Sequence, residues 1–179
     1  AFLIEPKIFE DKRGFFYESW NENFLKKIFK NTKFVQDNHS SSFMGVIRGM
    51  HCQLNPYAQG KLVRCTSGAV YDVAVDLRKN SKTFKEWIGI ELNEKNKLIF
   101  WIPEGFAHGF LTLSNDAEVQ YKTTKKWKKE SEISILWNDP DLAIQWPLDK
   151  LKKIKPIISE KDLNAFSFKE VESLNYLFK

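Results

Sequence analysis

The stretch GAVYDVAVDLR, residues 68–78, decides the fold class. Tyr71, Val73, Val75 and Leu77 alternate with Asp72, Ala74 and Asp76, and a period of two marks a strand rather than a helix. Comparable runs lie on both sides, separated by turn signals. GFFYESW (14–20), FVQDNHS (34–40), VIRGMHCQ (46–53) and KLVRCT (61–66) precede it. EWIGIEL (86–92), LIFWIP (98–103), GFLTLS (109–114) and AEVQYKTT (117–124) follow it. Many short strands at roughly ten-residue spacing predict an all-β sandwich or barrel of the jelly-roll type. Two segments read as helix. NENFLKKIFKN (21–31) carries Phe24, Leu25, Ile28 and Phe29 at helical spacing. SEKDLNAF (159–166) opens on Ser159, three residues before Asp162, close to a capping box.

Composition fits this reading. The chain has 179 residues, enough for one domain with a sizeable core, and no repeat, linker or low-complexity segment divides it. Aromatics make up 15%, which argues for a densely packed β-rich interior. No apolar run approaches the ~18 residues of a membrane helix, and no signal peptide is visible. Cys52 and Cys65 lie in strand-like runs without framework spacing, so they read as reduced core thiols and the protein as cytoplasmic. The net charge of +5 is concentrated in KTTKKWKK (122–129) and DKLKKIK (149–155). Such runs suit a solvated surface or an anionic small molecule. No zinc-finger, RNA-binding aromatic motif or recognition helix supports nucleic acid as the partner.

The chemistry-bearing residues are scattered. His39, His51 and His108 include no His-x-His pair, and the spacing argues against a metal site. There is no GxGxxG and no P-loop, so neither dinucleotide nor NTP chemistry is indicated. His51 sits inside an apolar strand run, where an imidazole needs a reason. Lys61 opens a strand; it is either an edge lysine or an inward cation for a phosphate or an oxyanion. Tyr121 is either a packed tyrosine or a phenolic acid. His108 follows a Pro turn and serves as either a turn residue or a ligand contact. Strand parity puts Arg48 and His51 on opposite faces, so for both to reach one pocket the strand must bulge or end near Gly49.

Taken in order, EPKIFEDKRGFFYESW, FVQDNHS, VIRGMHCQ, QGKLVRC, DVAVDLR, FWIPEGFAHGFL, YKTT, ILWNDP, IQWP and SEKD resemble the nucleotide-sugar 3,5-epimerases of the dTDP-4-dehydrorhamnose 3,5-epimerase family. The resemblance spans nearly the whole chain. It implies a cupin-like jelly roll of one domain, 1–179, with a few short helices and no metal or other cofactor. It implies a homodimer acting on a dTDP-linked 4-keto-6-deoxy sugar in dTDP-rhamnose or related deoxysugar biosynthesis. Family members also begin with further residues that form a strand helping the dimer. The family's chemistry inverts C3 and C5 through an enolate. By resemblance, His51 is the base, Asp162 orients it, Tyr121 is the opposing acid and Lys61 is the cation beside the C4 oxygen. Arg13, Glu18, Gln36, Asn38, Arg48, His108, Glu132 and Lys161 match substrate-binding positions. Trp127 stands where the family stacks a tyrosine on the base, and Cys52 stands where an aromatic usually follows the histidine.

Two alternatives keep the same fold. One is an epimerase acting only at C3 or on another nucleotide-linked sugar. The other, from a different class, is a non-catalytic cupin-type sugar-nucleotide binder. His51, Tyr121, Lys61 and Asp162 together argue against the binder, which needs no base paired with an acid.

Overall fold

The computed structural model describes residues 1–23 and 32–179. The helix expected at 21–31 falls largely on residues outside the described ones. The described strands are β1 (Phe2–Ile4), β2 (Phe9–Asp11), β3 (Gly14–Phe16), β4 (Gln36–Phe43), β5 (Val46–Gln53), β6 (Lys61–Ser67) and β7 (Ala69–Asp76). They continue with β8 (Trp87–Asn93), β9 (Ile99–Ile102), β10 (Phe106–Thr112), β11 (Asp116–Thr123), β12 (Glu132–Ser134) and β13 (Ile157–Ile158). One sheet has the order β1-β9-β6-β11-β4, and the other has β12-β5-β10-β7-β8 with β13 added beside β5. β2 and β3 form a separate hairpin. This is the expected jelly roll, and the long strands fall where the alternation put them. Among the described residues no helix is long and apolar enough to cross a membrane.

The opening stretch explains the packing. Both faces of β7 are buried. Val73 and Val75, with Leu77 just beyond the strand, enter a core that also takes Ile133, Ile135, Leu142, Trp146, Leu151, Phe168 and Val171 from the C-terminal part of the chain. Val70 and Ala74 face the other way, into a core shared with Phe110 of the neighbouring β10 and with Val63, Phe100, Ile102 and Val119 of the opposite sheet. One sheet is therefore covered on one side by its partner sheet and on the other by the C-terminal segment. The polar members of the alternation go inward as well: Asp72 and Asp76 are both fully buried. Asp76 is satisfied locally by Arg78, Ser81 and Thr83. Asp72 belongs to the site described below.

The C-terminal segment also delivers a carboxylate. β13 pairs in parallel with β5, Ile157 opposite Val46, and leads directly into helix α1 (Glu160–Leu163). This helix is shorter than the 159–166 expected. Ser159 caps it by accepting from the Asp162 backbone N–H. Asp162 does not close the capping box, because its side chain is directed at β5 instead. A complete capping box occurs in the next helix, α2 (Phe168–Ser173), between Ser167 and Glu170. Both cysteines are free and buried.

Candidate active site

The parity problem in β5 is solved by a bulge. His51 pairs with His108 and Arg48 with Phe110, so Gly49 and Met50 together oppose the single residue Gly109. The extra residue turns Arg48 and His51 onto one face, and both line the same cavity. The bulge requires glycine on both strands. Gly49 has φ +130°, and a Cβ there would lie 2.5 Å from Gly109 Cα; a Cβ on Gly109 would lie 2.7 Å from the Arg48 carbonyl oxygen.

The cavity, about 520 Å³, opens between the two sheets at the polar end of the barrel interior. His51 stands on β5 with its Nε2 2.6 Å from Asp162 Oδ1. Burial opposes the ionised carboxyl of Asp162. The hydrogen bond and charge of His51, with help from the Gly49 N–H and Ser159, outweigh it and hold the pKa below the usual value. Tyr121 enters from β11 in the opposite sheet, and burial raises its pKa, which keeps the phenol protonated. Lys61, on β6, is 8% exposed; its Nζ lies 3.4 Å from the His51 carbonyl oxygen and 5.9 Å from the Tyr121 ring centre. Burial lowers its pKa. Among the described residues no carboxylate forms an ion pair with Lys61. A buried cation without a counter-ion is costly, and its site is suited to an anion that arrives with the ligand. His108, beside Tyr121, donates its Nε2–H to both Asp72 carboxylate oxygens at 3.0 Å. Burial is the largest influence on His108 and lowers its pKa despite Asp72, so the ring is neutral at physiological pH.

A second lobe continues the cavity past His51, Lys61 and Tyr121 to Gln36, Asn38, Trp127 and Glu132. Trp127 is 51% exposed, and its Nε1 donates to Glu132 Oε2 at 3.3 Å. Glu132 pairs with Lys161 at 2.9 Å. Gln36 donates to Asn38 across one face of β4. Arg48 is steadied by Ser42 and the Ser41 carbonyl. Eleven of the thirteen residues singled out in the sequence thus meet along one cleft: His51, Tyr121, Lys61, Asp162, Arg48, His108 and Lys161 in the first lobe, Gln36, Asn38, Trp127 and Glu132 in the second. Arg13 and Glu18 do not. Arg13 is bound to Asp11 at the exposed β2–β3 turn, and Glu18 lines a separate groove with Trp20. Among the described residues no three His, Cys, Asp or Glu side chains gather in a way that would hold a metal ion.

The profile of the dTDP-4-dehydrorhamnose 3,5-epimerase family matches residues 1–170. The chain belongs to that family. It is 51% identical over 171 residues to the dTDP-4-dehydrorhamnose 3,5-epimerase of Shigella flexneri, covering 95% of this chain and 92% of that one. It is 50% identical over 176 residues to the enzyme of the same name from Escherichia coli K12, covering 98% and 93%. Its structure matches that of the dTDP-6-deoxy-D-glucose-3,5-epimerase of Legionella pneumophila in complex with dTDP-4-keto-L-rhamnose. The TM-score is 0.92 at 46% identity, over 99% of this chain and 92% of that one.

Membership of this epimerase family makes the residues missed by sequence reading easier to weigh. Asp72 is the clearest. It stood on the polar side of the opening alternation, and the signal was that a carboxylate recurred among apolar residues in the long strand AVYDVAVD. Ser40 also lines the cavity, and its buried Oγ has no hydrogen-bond partner among the described residues. Cys52, which follows the histidine in this member, packs into the outer core, and burial pushes its pKa up to about 12. It is an inert thiol.

Proposed function

We propose that this cleft epimerises C3 and C5 of a dTDP-4-keto-6-deoxyhexose, giving dTDP-4-dehydrorhamnose from dTDP-4-dehydro-6-deoxyglucose. The observation that carries the reading is the division of base and acid between the two sheets. His51, backed by a buried carboxylate, faces the cavity from one sheet, and the protonated Tyr121 faces it from the other. Inversion at carbon needs a base on one side of the ring and an acid on the other.

The hydrogen bond to Asp162 places the His51 proton on Nε2 and leaves the Nδ1 lone pair as the base. Nδ1 takes the proton from the carbon next to the ketone. The C–H electron pair moves into the ring bond, and the carbonyl pair moves onto the C4 oxygen, giving an enolate. Lys61 supplies the positive charge for that oxygen, and Asp162 for its part stabilises the imidazolium. Tyr121 then donates its proton to the opposite face, which restores the ketone with inverted configuration. Solvent resets the imidazolium and the phenolate before the second carbon is processed. Arg48 and Lys161 suit the diphosphate, His108 the sugar, and Gln36, Asn38, Glu132 and Trp127 the nucleoside end.

A homodimer completes the reading. Arg13 and Glu18 lie away from their own chain's cleft, and Phe9, Phe15, Phe16 and Trp20 are exposed around them. A second copy would cover these rings and bring the two polar residues to its own bound nucleotide. Light scattering should give twice the monomer mass at micromolar concentration, and a monomer would reject this part.

The decisive experiment is proton NMR in D2O with dTDP-4-keto-6-deoxyglucose. Deuterium should enter C3 and C5 as the rhamno product forms. Exchange at C3 alone would mark a mono-epimerase, and no exchange with measurable binding would mark a non-catalytic binder.

A further inference from the structure

The run KKWKK, Lys125 to Lys129, has almost nothing of its own to hold it in place: four lysines surround one tryptophan. Yet nearly every peptide in it is gripped by a glutamine or threonine side chain. The Lys125 carbonyl accepts from Gln59 Nε2 at 2.7 Å and from Thr123 Oγ1 at 2.8 Å. The Lys126 carbonyl accepts from Gln53 Nε2 at 3.2 Å. The Trp127 N–H donates to Gln36 Oε1 at 2.9 Å, and the Lys128 N–H donates to Gln53 Oε1 at 2.6 Å. Gln53 is 3% exposed and spends its other N–H on the Tyr57 carbonyl at 2.7 Å. Its amide is fully used, and it bridges both sides of Trp127.

Gln53 lies two residues beyond His51 on β5, so the two side chains share a face. The position beside the base is thus spent on the loop opposite. The indole it frames is half exposed and tied at its own Nε1 to Glu132. A large apolar ring held rigid at the surface is a poor arrangement for an empty protein and a good one for a flat ligand, because the ordering cost is already met before binding.

We propose that Gln53 is a positioning residue, acting through the 125–128 backbone to hold Trp127 as a preformed stacking platform for the nucleobase. This rests on the reading of Trp127 given above. Gln53→Glu keeps the shape and can still accept from Lys128. It cannot donate to Tyr57 or Lys126, so a carboxylate faces two carbonyl oxygens. dTDP affinity should fall and the KM for the sugar nucleotide should rise, each about tenfold, the equivalent of about 1.4 kcal/mol. The kcat should change by less than about twofold, as expected for lost uniform binding. Trypsin should cut after Lys125, Lys126 and Lys128 faster than in the parent, and dTDP should suppress that cutting.

Parent-like dTDP affinity and trypsin resistance in Gln53→Glu would overturn the proposal. So would a fall in kcat at constant KM, which would place Gln53 in the chemistry. Trp127→Ala separates the two layers. If it weakens dTDP while Gln53→Glu does not, only the positioning role fails. If Trp127→Ala leaves dTDP binding unchanged, the stacking reading fails with it. Should Gln53→Glu not fold, Gln53→Met removes all three hydrogen bonds at nearly constant volume and without burying a charge. It must then show the same faster cutting and weaker dTDP binding, and parent-like behaviour in it refutes the idea equally.

Discussion

Asp162→Asn tests the mechanism at a single proton. In the parent, His51 Nε2–H donates to a carboxylate 2.6 Å away that is 3% exposed, so the ring is locked in the tautomer with a free Nδ1. Asparagine fills the same space but brings its own N–H donors. If its amide donates to Nε2, the ring proton moves to Nδ1 and the base is lost. If its oxygen accepts instead, the tautomer survives but the imidazolium loses its counter-charge, and hydrogen bonds to charged groups are worth ~1.5–3 kcal/mol. The second case alone costs about 10–100-fold in rate. The first removes the ~10²–10⁴ that a positioned base supplies. The expected loss therefore lies between about 10 and 10⁴ in kcat, with KM little changed. The assay is the initial rate of deuterium entry at C3 and C5 in D2O, followed by NMR. A pH arm adds an independent check. The folded carboxyl of Asp162 lies below its ordinary value of 3.8, so its contribution to stability is present above that pH and is lost as pH falls through the lower folded value. The gap in Tm between parent and Asp162→Asn should narrow as pH falls below 3.8. Deuterium exchange within about fivefold of the parent would refute the dyad, since a general base is worth more than that.

Tyr121→Phe should keep exchange while net inversion falls by the ~10²–10⁴ of a lost acid, because His51 still removes a proton and returns a deuteron to the same face; NMR of recovered substrate checks it. Lys61→Met should abolish exchange and inversion together yet raise Tm, since it removes a buried cation that has no ion pair among the described residues. Burial lowers the Lys61 pKa from 10.5, so the penalty it imposes is full at low pH and fades as pH climbs toward 10.5, and the Tm gap should close over that rise. Gly49→Ala should cost on the order of 3 kcal/mol, about 10 °C in Tm, because the new Cβ meets the Gly109 backbone at 2.5 Å from a positive φ; thermal unfolding measures it.

The longer strands were legible because alternation and turn residues agree along them. VIRGMHCQ runs from Val46 to Gln53 in both the sequence and the fold. Even its irregularity could be located, since a cation and an imidazole on opposite parity near a glycine leave few ways to reach one pocket. What escaped were the elements whose only support is tertiary. β1, β12 and β13 have three residues or fewer, too short to show any period, and each exists because a longer strand offers it an edge: β9 for the first, β5 for the other two. The helix at SEKD was foreshadowed by its cap, but its extent was not. The box reading failed because Asp162 has a better partner in His51 than in the Ser159 backbone.

The same distinction separates the parts of the site. His51 and Lys61 could be singled out because each is a polar residue in or opening an apolar run, and Tyr121 because it puts a phenol on a strand face; the family resemblance then gave each a role. Asp72 met the same criterion, but alternation with valines made it look like the solvent side of a sheet, and only the second core outside β7 shows that neither side meets water. Gln53 is harder still. A glutamine ending a strand has many bland explanations, and the feature that marks it is a set of three distances to Tyr57, Lys126 and Lys128. Two of those partners lie more than seventy positions away along the chain. Residues that touch a ligand carry their chemistry in their own side chains and can be suspected one at a time. Residues that act by holding a backbone carry it in a relation, and β5 contains both kinds within three positions.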